Sequence, residues 1–354
     1  MLPNLMRARM DEIGIDFSII YPTFGLLVPR IPEEDVRRAA CRALNLMHAE
    51  LMGDHADRMI PAAAIPMFTP EEGVEEIAYA CDELGYRVVM LQGNVRRPML
   101  GQDGKPVPGN PVWIDSLGID SLHDYDPLWE ACVARGIPAN MHTGGMGWGT
   151  RMSPTNYVYN HIGHFAASHE GCCKALLLGG VPQRFPELTF GFLEGGVGWA
   201  TTLYGDLISH WEKRNRDSIQ DLDPRTIDLD RFRELCNEYA AARHRDSLEK
   251  FADNVHWMFG ADLEQAPSSV EEWSKSGSTG NEEFATIFGK HFYFGCEADD
   301  RAVAGALNSH DNTLNARLNA MFSSDVGHWD VPDISGVLGL SLIHISEPTR
   351  RTPR

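Results

Sequence analysis

The chain has 354 residues, 43% of them hydrophobic, which is enough for one large α/β domain or two smaller ones. With 50 acidic residues against 31 basic ones, the formal net charge of -19 excludes binding of nucleic acid or an anionic membrane through bulk electrostatics and favours a small-molecule substrate. No stretch reaches the ~18 consecutive apolar residues of a membrane span, and Met1–Arg7 lacks the order of a secretory signal. The 7 cysteines have no C-x-x-C spacing, so a cytoplasmic protein without a disulfide framework or zinc knuckle is expected.

In chain order, residues 2–13 predict a helix, and Asp16–Pro22 is an apolar run of strand length closed by a proline. Val36, Ala40, Ala43, Leu44, Met47 and Leu51 recur at helical spacing behind Glu33-Glu34-Asp35, and predict an amphipathic helix from about Pro32. Arg58–Pro66 is a second strand, and Thr69-Pro70-Glu71-Glu72 then forms a capping box opening a helix to about Leu84. Tyr86–Gly93 is a third strand, and the polar, proline-rich stretch from Asn94 to about Asp120 reads as a long loop. A helix over Leu128–Arg135 ends at Gly136, and Ile137–His142 is a fourth strand running into the glycine-rich Thr143–Gly149. A helix from about Tyr157 to Leu178, a fifth strand over Leu188–Gly196 and a helix over 197–214 follow. Residues 219–290 read as a charged, mostly helical insertion, with a mobile loop at Ser276–Gly280. His291–Glu297 is the sixth strand, Asp299-Asp300 caps a helix, and Ala320–Asp325 is the seventh strand.

Strands that alternate with helices and are apolar on both faces imply a parallel sheet covered by helices. A (β/α)8 TIM barrel is preferred to a doubly wound open sheet, because no G-x-G-x-x-G turn follows the first visible strand. The chain opens on a helix, so barrel strand 1 is expected to precede Met1, with the 219–290 insertion then between barrel strands 6 and 7. Residues 340–354 resemble the translation of a sequencing-library adapter, so the barrel is expected within residues 1–339. An open barrel leaves two unpaired strand edges, and this chain by itself is expected to be unstable or inactive.

Barrel enzymes gather their chemistry at the C-terminal ends of strands, which here carry Tyr21, Gln92, His142, Glu194, Glu297 and Asp325. An imidazole and carboxylates at such ends suit a divalent metal, Zn²⁺ first and Mn²⁺ second, able to turn a bound water into a nucleophile. No organic cofactor is indicated. Arg96 and Arg97 are candidates for gripping a substrate carboxylate, or are surface arginines. Trp148, Trp199 and Trp329 near strand ends would line an apolar pocket, or are ordinary packing. For His161, His164 and His169 a packed or solvated helix face is the favoured reading, with one of them supporting a site residue as the alternative. The insertion reads equally as a lid, a homo-oligomer contact or a peripheral excursion.

The segments Asn140-Met141-His142, Phe192–Trp199 and Ser323–Asp330 resemble the amidohydrolase-related metal-dependent barrels. That group includes aminocarboxymuconate-semialdehyde decarboxylase and the resorcylate-type decarboxylases. The resemblance spans residues 1–339 and implies a (β/α)8 barrel with one divalent metal, usually zinc. It implies further that His142 is the metal-binding histidine of the fifth barrel strand and Asp325 the metal-binding, proton-handling aspartate of the eighth. Glu194 stands where the family usually has a histidine, as ligand, base or hydrogen-bond partner, and the first-strand histidine pair is not in the chain. The expected catalytic set is Asp325, Glu194 and His328. The first expectation is hydrolysis of a small carboxylated or cyclic substrate; non-oxidative decarboxylation at the same site is second, and a non-catalytic barrel third.

Overall fold

The structure is a computed structural model that describes residues 2–109, 111–143, 152–223, 226–252, 271–331, 333–341 and 343. It opens with α1 (Pro3–Ile13), which Gly14 ends in a left-handed conformation, and then β1 (Ser18–Ile20). After α2 (Glu34–Met52) come β2 (Met59–Pro61) and β3 (Ala63–Ala64), two parts of one extended path. Ala62 N donates to Ile20 O at 2.9 Å, while Ala63 N donates to Val88 O at 2.9 Å. The path therefore passes its hydrogen bonds from β1 on one side to the next strand on the other. α3 (Pro70–Ala78) is capped as expected, with Glu72 N donating to Thr69 Oγ1.

β4 (Val89–Leu91) leads into a stretch where the predicted loop is instead an antiparallel hairpin, β5 (Val95–Pro98) with β6 (Val112–Asp115). α4 (Asp126–Arg135), β7 (Ala139–Met141), α5 (Tyr157–His161) and α6 (His164–Leu178) follow. The single helix expected over 157–178 is broken at Gly163, whose φ of 72° lies outside helical space. Next are α7 (Val181–Arg184), β8 (Phe190–Phe192), α8 (Gly198–Arg214), α9 (Leu229–Tyr239), α10 (Arg245–Ala252) and α11 (Asn281–Lys290). The chain ends through β9 (Phe292–Cys296), α12 (Val303–Leu307), β10 (Asn319–Phe322) and α13 (Val337–Leu340).

The main sheet is six-stranded, in the order β10-β9-β8-β7-β4-β3, and β1 extends it through β2. Every pairing in it is parallel, and the spatial order follows the chain order without reversal. A doubly wound sheet reverses at a switch point; a run in which each right-handed crossover lands beside the preceding strand is the barrel pattern. All the expected strands are present. Among the described residues no pairing joins β1 to β10, and Ile13, Ile15, Phe322 and Val337 pack together beside that edge.

The core lies between the sheet and its helices, and is richest where Phe190, Phe192, Phe292 and Phe294 of β8 and β9 stack against Trp199 and Phe288. α11 belongs to this core through Phe284, Ile287 and Phe288, so the segment expected as an insertion is not peripheral throughout. At the start of the expected mobile loop Ser276 is fully buried with its hydroxyl donating to Trp273 O, whereas Gly277 and Thr279 are exposed. α2 is rotated from its apolar stripe: Arg37, Cys41, Leu44, Asn45, His48 and Met52 are buried, while Val36, Ala43, Met47 and Leu51 are exposed. Burial of the polar positions is tolerable because they are partnered. Arg37 forms a two-bond ion pair with Glu72 at 2.6 and 2.8 Å, and Asn45 bonds both Ala64 N and O as well as Glu76. The cysteines are all free, and no helix among the described residues is long and apolar enough to cross a membrane.

Candidate active site

Every parallel strand delivers its C-terminal end to one side of the sheet, and there the polar residues converge. His142 follows β7, buried, with its backbone N donating to Leu91 O at 2.8 Å. Its Nε2 lies 3.0 Å from Oε2 of Glu194, which follows β8 by two residues. Asp325 follows β10 by three residues, and its Oδ2 lies 3.0 Å from Nδ1 of His328. Ligand atoms of Glu194, Asp325 and His328 all fall within 4.8 Å of one another. His142, Glu194, Asp325 and His328 thus form one constellation, drawn from three strands far apart in sequence.

Two backbone features aim these groups. Glu194 has φ 60° and Asp325 φ 47°, left-handed values that cost a non-glycine residue about 1 kcal/mol or more and persist only where the surroundings hold them. Both turns continue through a glycine of positive φ, Gly196 at 67° and Gly327 at 109°. The sequence signal for them is the glycine close behind each acid.

The electrostatics are unbalanced. Burial and the Glu194 carboxylate push the Asp325 carboxyl up to about 6, against the opposite pull of His328. Glu297, on the rim after β9, is pushed up to about 7 by desolvation and by Asp325 and Glu194. Three carboxylates therefore crowd one another with His142 and His328 beside them. His142 Nδ1 is buried without a partner among the described residues. Two carboxylates with imidazole nitrogen are a donor set that suits Mn²⁺ or Zn²⁺, and a cation would relieve their mutual repulsion. The residues present fit a divalent metal.

The expected substrate arginines part company. On β5 successive side chains point to opposite faces, so Arg96 is exposed while Arg97 is buried. Arg97 bonds Asp115, Phe68 O and Tyr125 Oη, which commits most of its five donors within the fold. These bonds suit an arginine that holds the fold better than one free to grip a substrate carboxylate. Arg30, which no sequence motif singles out, is half-buried, and burial together with Arg96 brings its pKa down to about 10. No spacing rule links residues 30 and 96; only the fold brings them together. Trp148 lies outside the described residues. Trp199 packs in the core against Phe192 and Phe294, whereas Trp329 is 73% exposed. From Trp329 an aromatic path runs inward through Tyr157 and His161 to Phe165, whose ring meets His142 edge-on at 5.1 Å.

Among solved structures, a 5-carboxyvanillate decarboxylase from Novosphingobium aromaticivorans, complexed with manganese and 4-hydroxy-3-methoxy-5-nitrobenzoic acid, is 14% identical with a TM-score of 0.55. The match covers 96% of this chain and 74% of that one. A dihydroxybenzoic acid decarboxylase from a Polaromonas species, with bound manganese and the inhibitor 2-nitroresorcinol, is 17% identical with a TM-score of 0.51, covering 96% of this chain and 79% of that one. A 2,6-dihydroxybenzoate decarboxylase from Rhizobium is 16% identical with a TM-score of 0.51, covering 95% and 80%. At these identities the likeness is one of fold. No curated protein matches. A sequence model of the amidohydrolase family matches residues 23–261, well over half of the chain, and the chain belongs to the amidohydrolase family.

Proposed function

We propose that the protein is a metal-dependent, non-oxidative decarboxylase of a small hydroxylated aromatic acid, on a frame whose seven parallel strands we read as part of a (β/α)8 barrel. The observation that carries this reading is the convergence of Glu194, Asp325 and His328 within 4.8 Å, with His142 bonded to Glu194. His142, Glu194 and Asp325 would hold Mn²⁺ or Zn²⁺, which when bound would supply positive charge to the substrate oxygens and offset the negative charge of the reacting group.

The chain's own groups do the rest. The aromatic path from Trp329 and Tyr157 to Phe165 offers flat apolar walls to a ring. Arg96, with Arg30 near it, would meet the carboxylate of the incoming acid. The Asp325–His328 pair carries a proton that it can deliver to the ring carbon bearing the carboxylate. The bond from that carbon to the carboxylate then breaks, its electron pair stays with the ring, and CO₂ leaves. One proton is consumed per CO₂, and it returns to the pair from solvent through His328, which is 36% exposed where Asp325 is 15%. Hydrolysis, first among the sequence expectations, would use the same groups. Decarboxylation is preferred because a path of aromatic side chains beside His142 suits an aromatic acid, and because the solved relatives named above are decarboxylases.

The test supplies Mn²⁺ and a panel of hydroxybenzoates to the purified full chain and measures CO₂ against loss of substrate absorbance. Stoichiometric CO₂ is expected on this reading, and it would overturn the expectation that unpaired strand edges leave the chain inactive. Cleavage of lactones, esters or amides without any CO₂ from the acids would sink the reading.

A further inference from the structure

The turn that carries Glu194 is held by a histidine that no step above uses. His169, on α6, is fully buried, and its Nε2 lies 2.6 Å from the carbonyl oxygen of Leu193, the peptide that leads into Glu194. A carbonyl only accepts, so Nε2 carries the proton and Nδ1 keeps its lone pair. Burial pushes His169 down to about 3, which leaves the ring neutral across the working range. The same ring occupies the space behind the next residue. A Cβ on Gly195 would lie 2.8 Å from His169 Cδ2 and 3.1 Å from Trp199 Nε1, so only glycine fits there. Asp300 grips the far side of the turn, its Oδ2 accepting from Val197 N at 3.2 Å.

Behind the ring, His169 Nδ1 and Thr143 Oγ1 are buried polar atoms without a partner among the described residues, as is Oδ1 of Asn94, whose Nδ2 donates to Ser168 next to His169. The bare face of Gly93 borders two of them: a Cβ there would lie 2.6 Å from Thr143 Oγ1 and 3.6 Å from His169 Nδ1. An acceptor and a hydroxyl bordering the same glycine are complementary to one internal water, which would donate to His169 Nδ1 and accept from Thr143. Thr143 directly follows His142.

We infer that His169 is a positioning residue: it holds Leu193 and so keeps Glu194 in its left-handed conformation, and through its other nitrogen it ties that turn to the Thr143 end of the His142 strand. The inference rests on the metal-site reading and assigns the residue that aims two of its ligands. The test is calorimetric titration of the full chain with Mn²⁺, comparing wild type with His169→Gln and His169→Asn. The glutamine amide reaches where Nε2 stands; the shorter asparagine does not. Loss of a group that orients ligands weakens metal binding roughly 10- to 100-fold, so His169→Asn should lie in that range and His169→Gln within about threefold of wild type. Equal affinity in all three proteins overturns the inference. If His169→Asn does not fold, His169→Gln decides alone: retained affinity upholds the assignment and a tenfold loss refutes it. If wild type binds no Mn²⁺, the metal reading falls by itself, and crystal structures of the variants decide. Glu194 left-handed in His169→Asn then refutes the positioning role; Glu194 relaxed there but not in His169→Gln upholds it.

Discussion

Two polar regions of this molecule treat charge in opposite ways. Beneath β2 to β4, Arg37 and Glu72 have side chains 3% and 1% exposed, each bonded twice to the other, while Asn45 and Glu76 complete the network between α2 and α3. At the strand ends, Glu194, Glu297 and Asp325 press their negative charges together, and two of them sit at or beside strained backbone. The first region meets nearly all its hydrogen-bonding demand within the chain. The second leaves its demand open, and an unmet demand for positive charge is how a fold prepares a place for a cation or an acidic proton. The contrast separates polar residues that hold the fold from those that await a ligand.

The largest expected effect comes from breaking the second region. Asp325→Asn keeps the shape but removes both a ligand charge and the partner of His328, and kcat/KM for decarboxylation should fall by about 10³-fold or more, roughly 4 kcal/mol. A loss of less than tenfold would remove Asp325 from the mechanism. Close behind is damage to the first region. Arg37→Met strands the Glu72 charge in the core and should cost roughly 3–5 kcal/mol in urea unfolding, whereas Arg37→Met with Glu72→Leu should recover most of it. An additive double variant would show that the pair is not what holds α2 to α3.

Smaller effects sharpen the contrast. Asp325 and Glu297 bind protons more tightly when folded than when unfolded, being raised from 3.8 to about 6 and from 4.5 to about 7. Their contribution to stability is present below pH ~4 and is lost as pH rises through 6 to 7. The metal-free protein should therefore lose a few degrees of Tm between pH 4.5 and 7.5 relative to Glu297→Gln, and Mn²⁺ should restore it at the upper end. Parallel pH profiles for the two proteins would contradict the crowding of carboxylates. Least of all, Arg96→Ala should raise KM about tenfold at constant kcat, while Arg97→Ala should lower Tm instead, because Arg97 is buried and bonded into the fold whereas Arg96 is exposed. An unchanged KM in Arg96→Ala would leave the substrate carboxylate to other groups.

Much of this contrast was legible before folding, and some was hidden for physical reasons. The strands show as apolar runs because a parallel sheet is covered on both faces, and His142 and Asp325 stand out as polar residues ending such runs. The hairpin at 95–115 is hidden in the sequence because the prolines and polar residues of a half-buried ribbon have the composition of a loop. The buried face of α2 does not follow from periodicity, which assumes that apolar residues are the buried ones, and a buried Arg37 with its own acid breaks that rule without penalty.

The sequence by itself determined the succession of parallel strands, and with it the end of the sheet where chemistry had to collect, since local hydrophobicity and chain direction suffice for both. Only the tertiary structure decided which polar residues meet. The closure of Glu194 on His142, the gathering of Glu297 and Asp325, and the placement of His169 behind Leu193 depend on contacts between residues 24 to more than 100 positions apart, and no local pattern encodes those.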